Sequence, residues 1–134
     1  MILYGAPNPA PNPRRVRIFL AEKGIDLPET LVNMMKREHK SDEHRARNSL
    51  GQIPTLVLDD GTAISETVAI CRYLDETQPG GALFGTTPLE RAHVDMWIRR
   101  IEFQLMNPVG MFWRLQMSSV RPTNCLYRAR RSGR

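Results

Sequence analysis

The stretch NSLGQIPTLVLDDGTAISETVAICRYLDE, residues 48–76, decides the fold. Thr55-Leu56-Val57-Leu58 is a short apolar run of strand length. Asp60-Gly61 is a tight-turn dipeptide, and Thr62-Ala63-Ile64 is the strand that returns from it. From Thr67 the spacing turns helical, with Val68, Ile70, Cys71 and Leu74 as the apolar positions, because residues three and four apart share a helix face. Pro79-Gly80-Gly81 ends that helix and begins a linker.

Upstream, Met1-Ile2-Leu3-Tyr4 reads as a buried strand stopped by Gly5. Residues 5–13 (GAPNPAPNP) carry prolines at 7, 9, 11 and 13 and form a loop of restricted conformation. Pro13 is tolerated in the first turn of a helix that continues through RRVRIFLAEK, where Val16, Phe19, Leu20 and Lys23 line one face. Gly24 fits the position just past that helix. Residues 30–34 give a weak second strand. Residues 36–47 (KREHKSDEHRAR) are almost wholly polar and suggest an exposed short helix or an irregular segment. The order is strand, helix, strand, irregular helix, strand, strand, helix, which predicts an α/β fold with a mixed sheet. Downstream, residues 88–106 form a long helix from Pro88, apolar on several sides. Asn107-Pro108 is expected to interrupt it, and few apolar residues follow Trp113.

With 134 residues, 41% hydrophobic and 25% charged, the chain has ordinary globular composition, enough for one domain and part of a second. No apolar run approaches the roughly 18 residues of a membrane helix. Pro and Asn within the first eight residues leave no secretory leader pattern. Cys71 and Cys125 are too few for a disulfide-rich scaffold or a metal cluster, so a cytoplasmic protein without a metal is expected. The net charge is +5, but residues 114–134 hold six arginines and no acid. That leaves 13 Lys and Arg against 14 Asp and Glu in residues 1–113. A near-neutral body argues against a nucleic-acid or membrane surface.

Gln52-Ile53-Pro54 stands before a strand, and Glu66-Thr67 stands at a helix start. An X-Pro bond at the lip of a strand is a candidate cis peptide. It would turn the Ile53 N–H and C=O outward, where an extended peptide could pair with them. A helix start favours an anionic group, the Thr67 hydroxyl can donate to a carboxylate, and Glu66 can accept from an ammonium. The pair therefore matches a free amino-acid head. In the plainer reading Pro54 merely starts a strand, and Ser65, Glu66 or Thr67 merely caps a helix.

These residues carry a resemblance. MILYG…PRRVRIFLAEKGI, Ile53-Pro54, Glu66-Thr67 and Ala69-Ile70-Cys71-Arg72-Tyr73-Leu74 resemble soluble glutathione transferases of the bacterial theta- and Nu-like type. Residues 1–86 are similar to their thioredoxin-like N-terminal domain, and 87–113 to the start of their helical domain. The resemblance implies βαβ-α-ββα around a mixed four-stranded sheet, followed by an incomplete all-α part. It implies a glutathione-binding domain over 1–80, a linker at 81–87, a first helix of a shortened helical domain at 88–113, and an atypical Arg-rich tail at 114–134. That tail shows no helical period and reads like a shifted reading frame or a foreign end. Trp97, Phe103, Met106, Phe112 and Trp113 would then be left partly uncovered, favouring self-association.

The resemblance also implies a glutathione site. Ile53 would hold the cysteinyl backbone beside Pro54, Glu66 and Thr67 the γ-glutamyl head, and Gln52 the glycyl end or the backbone near it. His39 would face the glycine carboxylate, with Lys40 as its competitor. His44 stands where relatives often carry an apolar residue. The chain departs at the thiolate donor, because Ala10 occupies the place of the usual serine and cannot donate. Asn12 is the best substitute, with an amide at a helix N-terminus, and Asn8 is the alternative. Tyr4 and Cys71 read as packing. Glutathione would be a co-substrate, its partner a small electrophile, and the assembly a homodimer. If active, the thiolate would attack an electrophile, a disulfide or a peroxide. The alternative is a catalytically impaired glutathione-binding or scaffold protein.

Overall fold

The computed structural model describes residues 1–119; residues 120–134, and with them most of the Arg-rich tail, lie outside the described residues. The chain divides into two compact units, Met1–Phe84 and a second beginning at Gly85.

In the first unit, β1 (Ile2–Gly5) leads through the proline-rich loop to α1 (Pro11–Lys23) and then to β2 (Glu29–Leu31). A single 3₁₀ turn (Glu38–Lys40) and the short α2 (Asp42–Arg47) follow. The hairpin of β3 (Thr55–Val57) and β4 (Ala63–Ser65) then feeds α3 (Thr67–Thr77). The sheet order is β2-β1-β3-β4, with β1 parallel to β2 and antiparallel to β3, and β3 antiparallel to β4. This is the expected mixed four-stranded sheet. The second strand is shorter than expected and starts one residue earlier; Leu31 is exposed, so no buried run extends it.

Local chemistry fixes these elements. Gly24 takes φ 65°, and its N–H closes α1 on the carbonyls of Ala21 and Leu20. At the hairpin tip, Gly61 has φ 86° and the Thr62 N–H donates to Asp60 Oδ1. Leu3, Val16, Leu20, Leu56, Ile70, Cys71 and Leu74 form the core between the sheet and the α1/α3 layer. Its lower rim contains an ion pair, Lys23 Nζ to Asp75 Oδ1 at 2.8 Å, with both side chains nearly inaccessible. Asp75 also accepts from the N–H groups of Leu83 and Phe84, holding the end of the unit against α3. Burial pushes the Asp75 carboxyl up. Lys23 and these two N–H donors outweigh it and hold the carboxyl below its ordinary value.

The second unit is helical. α4 (Pro88–Ile101) starts on a capping box, Thr87 with Glu90, and Glu90 accepts further bonds from Thr86. Those hydrogen bonds pull the exposed Glu90 carboxyl down to about 2. The expected interruption at Asn107-Pro108 does not occur. A π turn (Glu102–Met106) runs into α5 (Asn107–Ser119). A proline ring clashes with the carbonyl four residues before it, and the widened turn just ahead makes room for it. The helix therefore continues past Trp113 into the stretch expected to lack helical order. Among the described residues, no helix is long and apolar enough to cross a membrane, and no three metal-ligating side chains come together.

Candidate functional site

Strand register assembles one end of the sheet. Thr55 pairs with Ser65 and with Tyr4, so Ile53-Pro54, Glu66-Thr67 and the loop after Gly5 all leave the sheet at the same end. Ile53 packs there with Ala6 and Val32, and against Tyr4 and Ala10. The Ile53–Pro54 bond is cis.

The backbone at Ile53 is pinned from behind. The Gln52 carbonyl meets His44 Nε2 at 2.8 Å and accepts from Asn48 Nδ2 at 3.0 Å. The same peptide plane carries the Ile53 N–H, and a planar trans amide aims its N–H opposite to its C=O. Drawing the carbonyl inward therefore turns the Ile53 N–H away from α2. His44, which stands where relatives often carry an apolar residue, is given polar work here. Its side chain is buried, and its ring reaches the strand lip that sequence spacing had singled out. The Gln52 side chain itself is exposed.

Glu66 and Thr67 differ sharply from an ordinary cap. Glu66 occupies the N-cap position of α3 with φ 71° and ψ 123°, and its side chain makes no capping bond. A non-glycine residue held there costs on the order of 1–3 kcal/mol and persists only where the surroundings enforce it. Its carboxylate remains at the surface, available to a cation. Thr67 is buried at 8% exposure, and its Oγ1 accepts from Arg15 Nη1 at 2.8 Å. The first α-helical bond runs from the Ile70 N–H to the Glu66 carbonyl, so the donors of the first turn face outward.

Asn12 is the second residue of α1, exposed, one turn before Arg15 on the same face. Ala10 precedes the helix and contributes no side-chain cap. Asn8 accepts from Arg17 Nη1 at 3.2 Å, and Arg17 also grips Glu29 and the Ala6 carbonyl, which fixes the proline-rich loop. Tyr4 is half-buried under the Arg47 guanidinium, 4.3 Å from its ring centroid. Burial pushes the Cys71 thiol up to about 12, despite the opposing charge of Arg15, so it is no nucleophile at neutral pH.

His39 lies in the 3₁₀ turn, half-buried, with Nδ1 shut off from solvent and without a partner. Desolvation, then the neighbouring charges of Lys40, His44 and Arg37, hold its pKa below 6.5. Its ring nitrogens can offer a carboxylate a hydrogen bond. The competitor, Lys40, donates to the Leu50 carbonyl at 2.9 Å.

Sequence reasoning missed Arg15, Arg17 and Asn48. The run Arg14-Arg15-Val16-Arg17 was visible, but nothing local tells which arginine reaches a residue 52 positions away.

The family profile described as glutathione S-transferase, N-terminal domain, matches residues 10–77. The chain belongs to the glutathione S-transferase family. Glutathione S-transferase 2 of Saccharomyces cerevisiae is 38% identical over 99% of this chain and 58% of its own length. The crystal structure of a glutathione S-transferase domain-containing protein from Marinobacter aquaeolei superimposes with a TM-score of 0.78 at 44% identity, covering 82% of this chain and 54% of that one. A maleylacetoacetate isomerase from Methylobacterium extorquens, solved with bound malonate and GSH, gives a TM-score of 0.61 at 33% identity, over 69% of this chain and 42% of that one. The chain thus spans little more than half the length of the first two, both members of the transferase family.

Proposed function

We propose that this glutathione S-transferase binds glutathione along the sheet end formed by Ile53-Pro54 and Glu66-Thr67, and that Asn12 holds its thiolate. The observation that carries the reading is the Glu66-Thr67 corner. A strained residue keeps a carboxylate out of its own helix cap, beside a hydroxyl and a helix terminus. These groups complement an ammonium and a carboxylate on one carbon, as in a γ-glutamyl head. Ile53 pairs with the cysteinyl backbone. Gln52 and His39 serve the glycyl end by hydrogen bonds, and residues 1–80 form the binding domain.

Chemistry follows from the thiol. Free thiols near pKa 8.5 are only a few per cent ionised at neutral pH. Lowering that pKa by about two units is worth about 2.7 kcal/mol. The Asn12 amide and the start of α1 supply donors and positive potential for this. The thiol proton goes to solvent, sulfur forms the new bond to the electrophile, and the leaving group departs with its electron pair. The setting implied by the family resemblance is a cytoplasmic homodimer acting on small electrophiles.

A second reading, glutathione binding without turnover, is favoured by Ala10, which places a methyl where a hydroxyl would donate. Both are tested by capture on immobilised glutathione and by turnover of 1-chloro-2,4-dinitrobenzene, with Asn12→Ala alongside. The first reading expects both proteins to be retained and turnover at pH 7 to fall about tenfold in the variant, since the start of α1 keeps its share of the thiolate stabilisation. Retention without turnover in either protein establishes the second. Equal turnover in both removes Asn12 from the mechanism.

A further inference from the structure

We propose that Arg15 is a positioning residue for the γ-glutamyl carboxylate, acting through the Thr67 hydroxyl. The inference rests on the glutathione reading and deepens it. Arg15 crosses from α1 to the first residue of α3, where Nη1 donates to Thr67 Oγ1 at 2.8 Å. A guanidinium has donors and no acceptor, so this bond can run in one direction only. It fills a lone pair on Oγ1, and the hydroxyl hydrogen must point elsewhere.

A threonine inside a helix commonly returns that hydrogen to the carbonyl one turn earlier. Thr67 begins its helix, and the residue four before it, Ala63, lies in β4. No preceding helical turn competes for the hydrogen. A cation on the acceptor side also polarises the O–H bond and makes it a stronger donor. The outward N–H groups of the first turn lie at the same corner, and Glu66 stands next to it with the opposite charge. Arg15 is felt electrostatically further along α3 as well, where it draws the Cys71 thiol down against burial. Hydroxyl orientation, charge and helix terminus therefore converge on one ligand oxygen pair, with the matching ammonium assigned to Glu66.

The test compares two peptides on the full chain by calorimetry: glutathione, and 4-aminobutyryl-Cys-Gly, which keeps the ammonium but lacks that carboxylate. The wild type is expected to prefer glutathione at least about tenfold. In Arg15→Ala the preference should collapse to within about threefold, through weaker glutathione binding with the analogue little changed. Arg15→Lys should recover part of it, and adding Thr67→Val to Arg15→Ala should cost little more, since two groups acting as a unit are not additive. Arg15→Gln, which keeps the stem, provides the same reading if Arg15→Ala folds poorly by circular dichroism. An Arg15 that merely braces α1 against α3 would weaken both peptides equally, and that result overturns the proposal. A wild type that binds neither peptide overturns the glutathione reading itself. A wild type whose preference survives in the Arg15 variants overturns only the role of Arg15.

Discussion

The unit of residues 1–84 and the helices after it treat apolar residues in opposite ways. In the first, Leu3, Val16, Leu56, Ile70 and Leu74 are at most 1% exposed, and even the Lys23–Asp75 ion pair lies inside. In the second, α4 and the π turn bury no residue, and Trp97, Phe103, Phe112 and Trp113 are 57–62% exposed. Each residue assigned to glutathione belongs to the first unit. The edge proposed to hold the ligand therefore stands on a core of its own. It can carry the strained Glu66 because the β4 ladder on one side and α3 on the other hold it in place. The helical unit has good local chemistry, with its capping box and accommodated proline, but no interior to match among its described residues.

Substitutions separate the two units, beginning with the largest expected effect. Asp75→Ala leaves Lys23 uncompensated in the interior and frees two N–H groups, so denaturant unfolding followed by circular dichroism should show a loss of about 3–5 kcal/mol. A loss below about 1 kcal/mol would contradict a sealed lower rim. Glu66→Gly removes the side chain while glycine accepts the same backbone angles without strain. Thermal stability should hold or rise, while glutathione affinity falls about tenfold or more; a parallel drop in both would mean the residue is structural. Trp113→Glu should reduce self-association in sedimentation velocity while shifting unfolding of the first unit by no more than about 0.5 kcal/mol. Sedimentation unchanged by the charge would mean this face has no part in association.

The smallest effect concerns pH. The Glu90 carboxyl is depressed from 4.5 to about 2, so its contribution is complete above 4.5 and is lost as pH falls through about 2. Amide protection at the start of α4, taken relative to the intrinsic exchange rate at each pH, should fall over that interval in the wild type and should be low throughout in Glu90→Ala, which has no side-chain acceptor. Equal protection in both proteins would show that the capping box contributes nothing there.

Much of the first unit was legible because its signals are local. Asp60-Gly61 set the hairpin, the switch of apolar spacing at Thr67 set α3, and Gly24 ended α1. β2 was poorly placed because Leu31 faces solvent and leaves no alternation to read. Asn107-Pro108 misled because the rule against proline in a helix assumes an α-helical turn before it, and a π turn removes the clash. At the proposed site, the meeting of Ile53, Glu66 and Thr67 at one end of the sheet was readable from spacing. Arg15 and the His44–Asn48 support of Gln52 were not, since each depends on contacts that only the folded chain creates.

The most direct test is a ¹H–¹⁵N titration of the full chain with glutathione. If residues 53, 66 and 67 hold the tripeptide, the amides of Ile53, Thr67 and Val68 shift saturably with one affinity, while those of α4 move little. Saturable shifts confined to other residues, or no shifts at millimolar glutathione, would contradict the site.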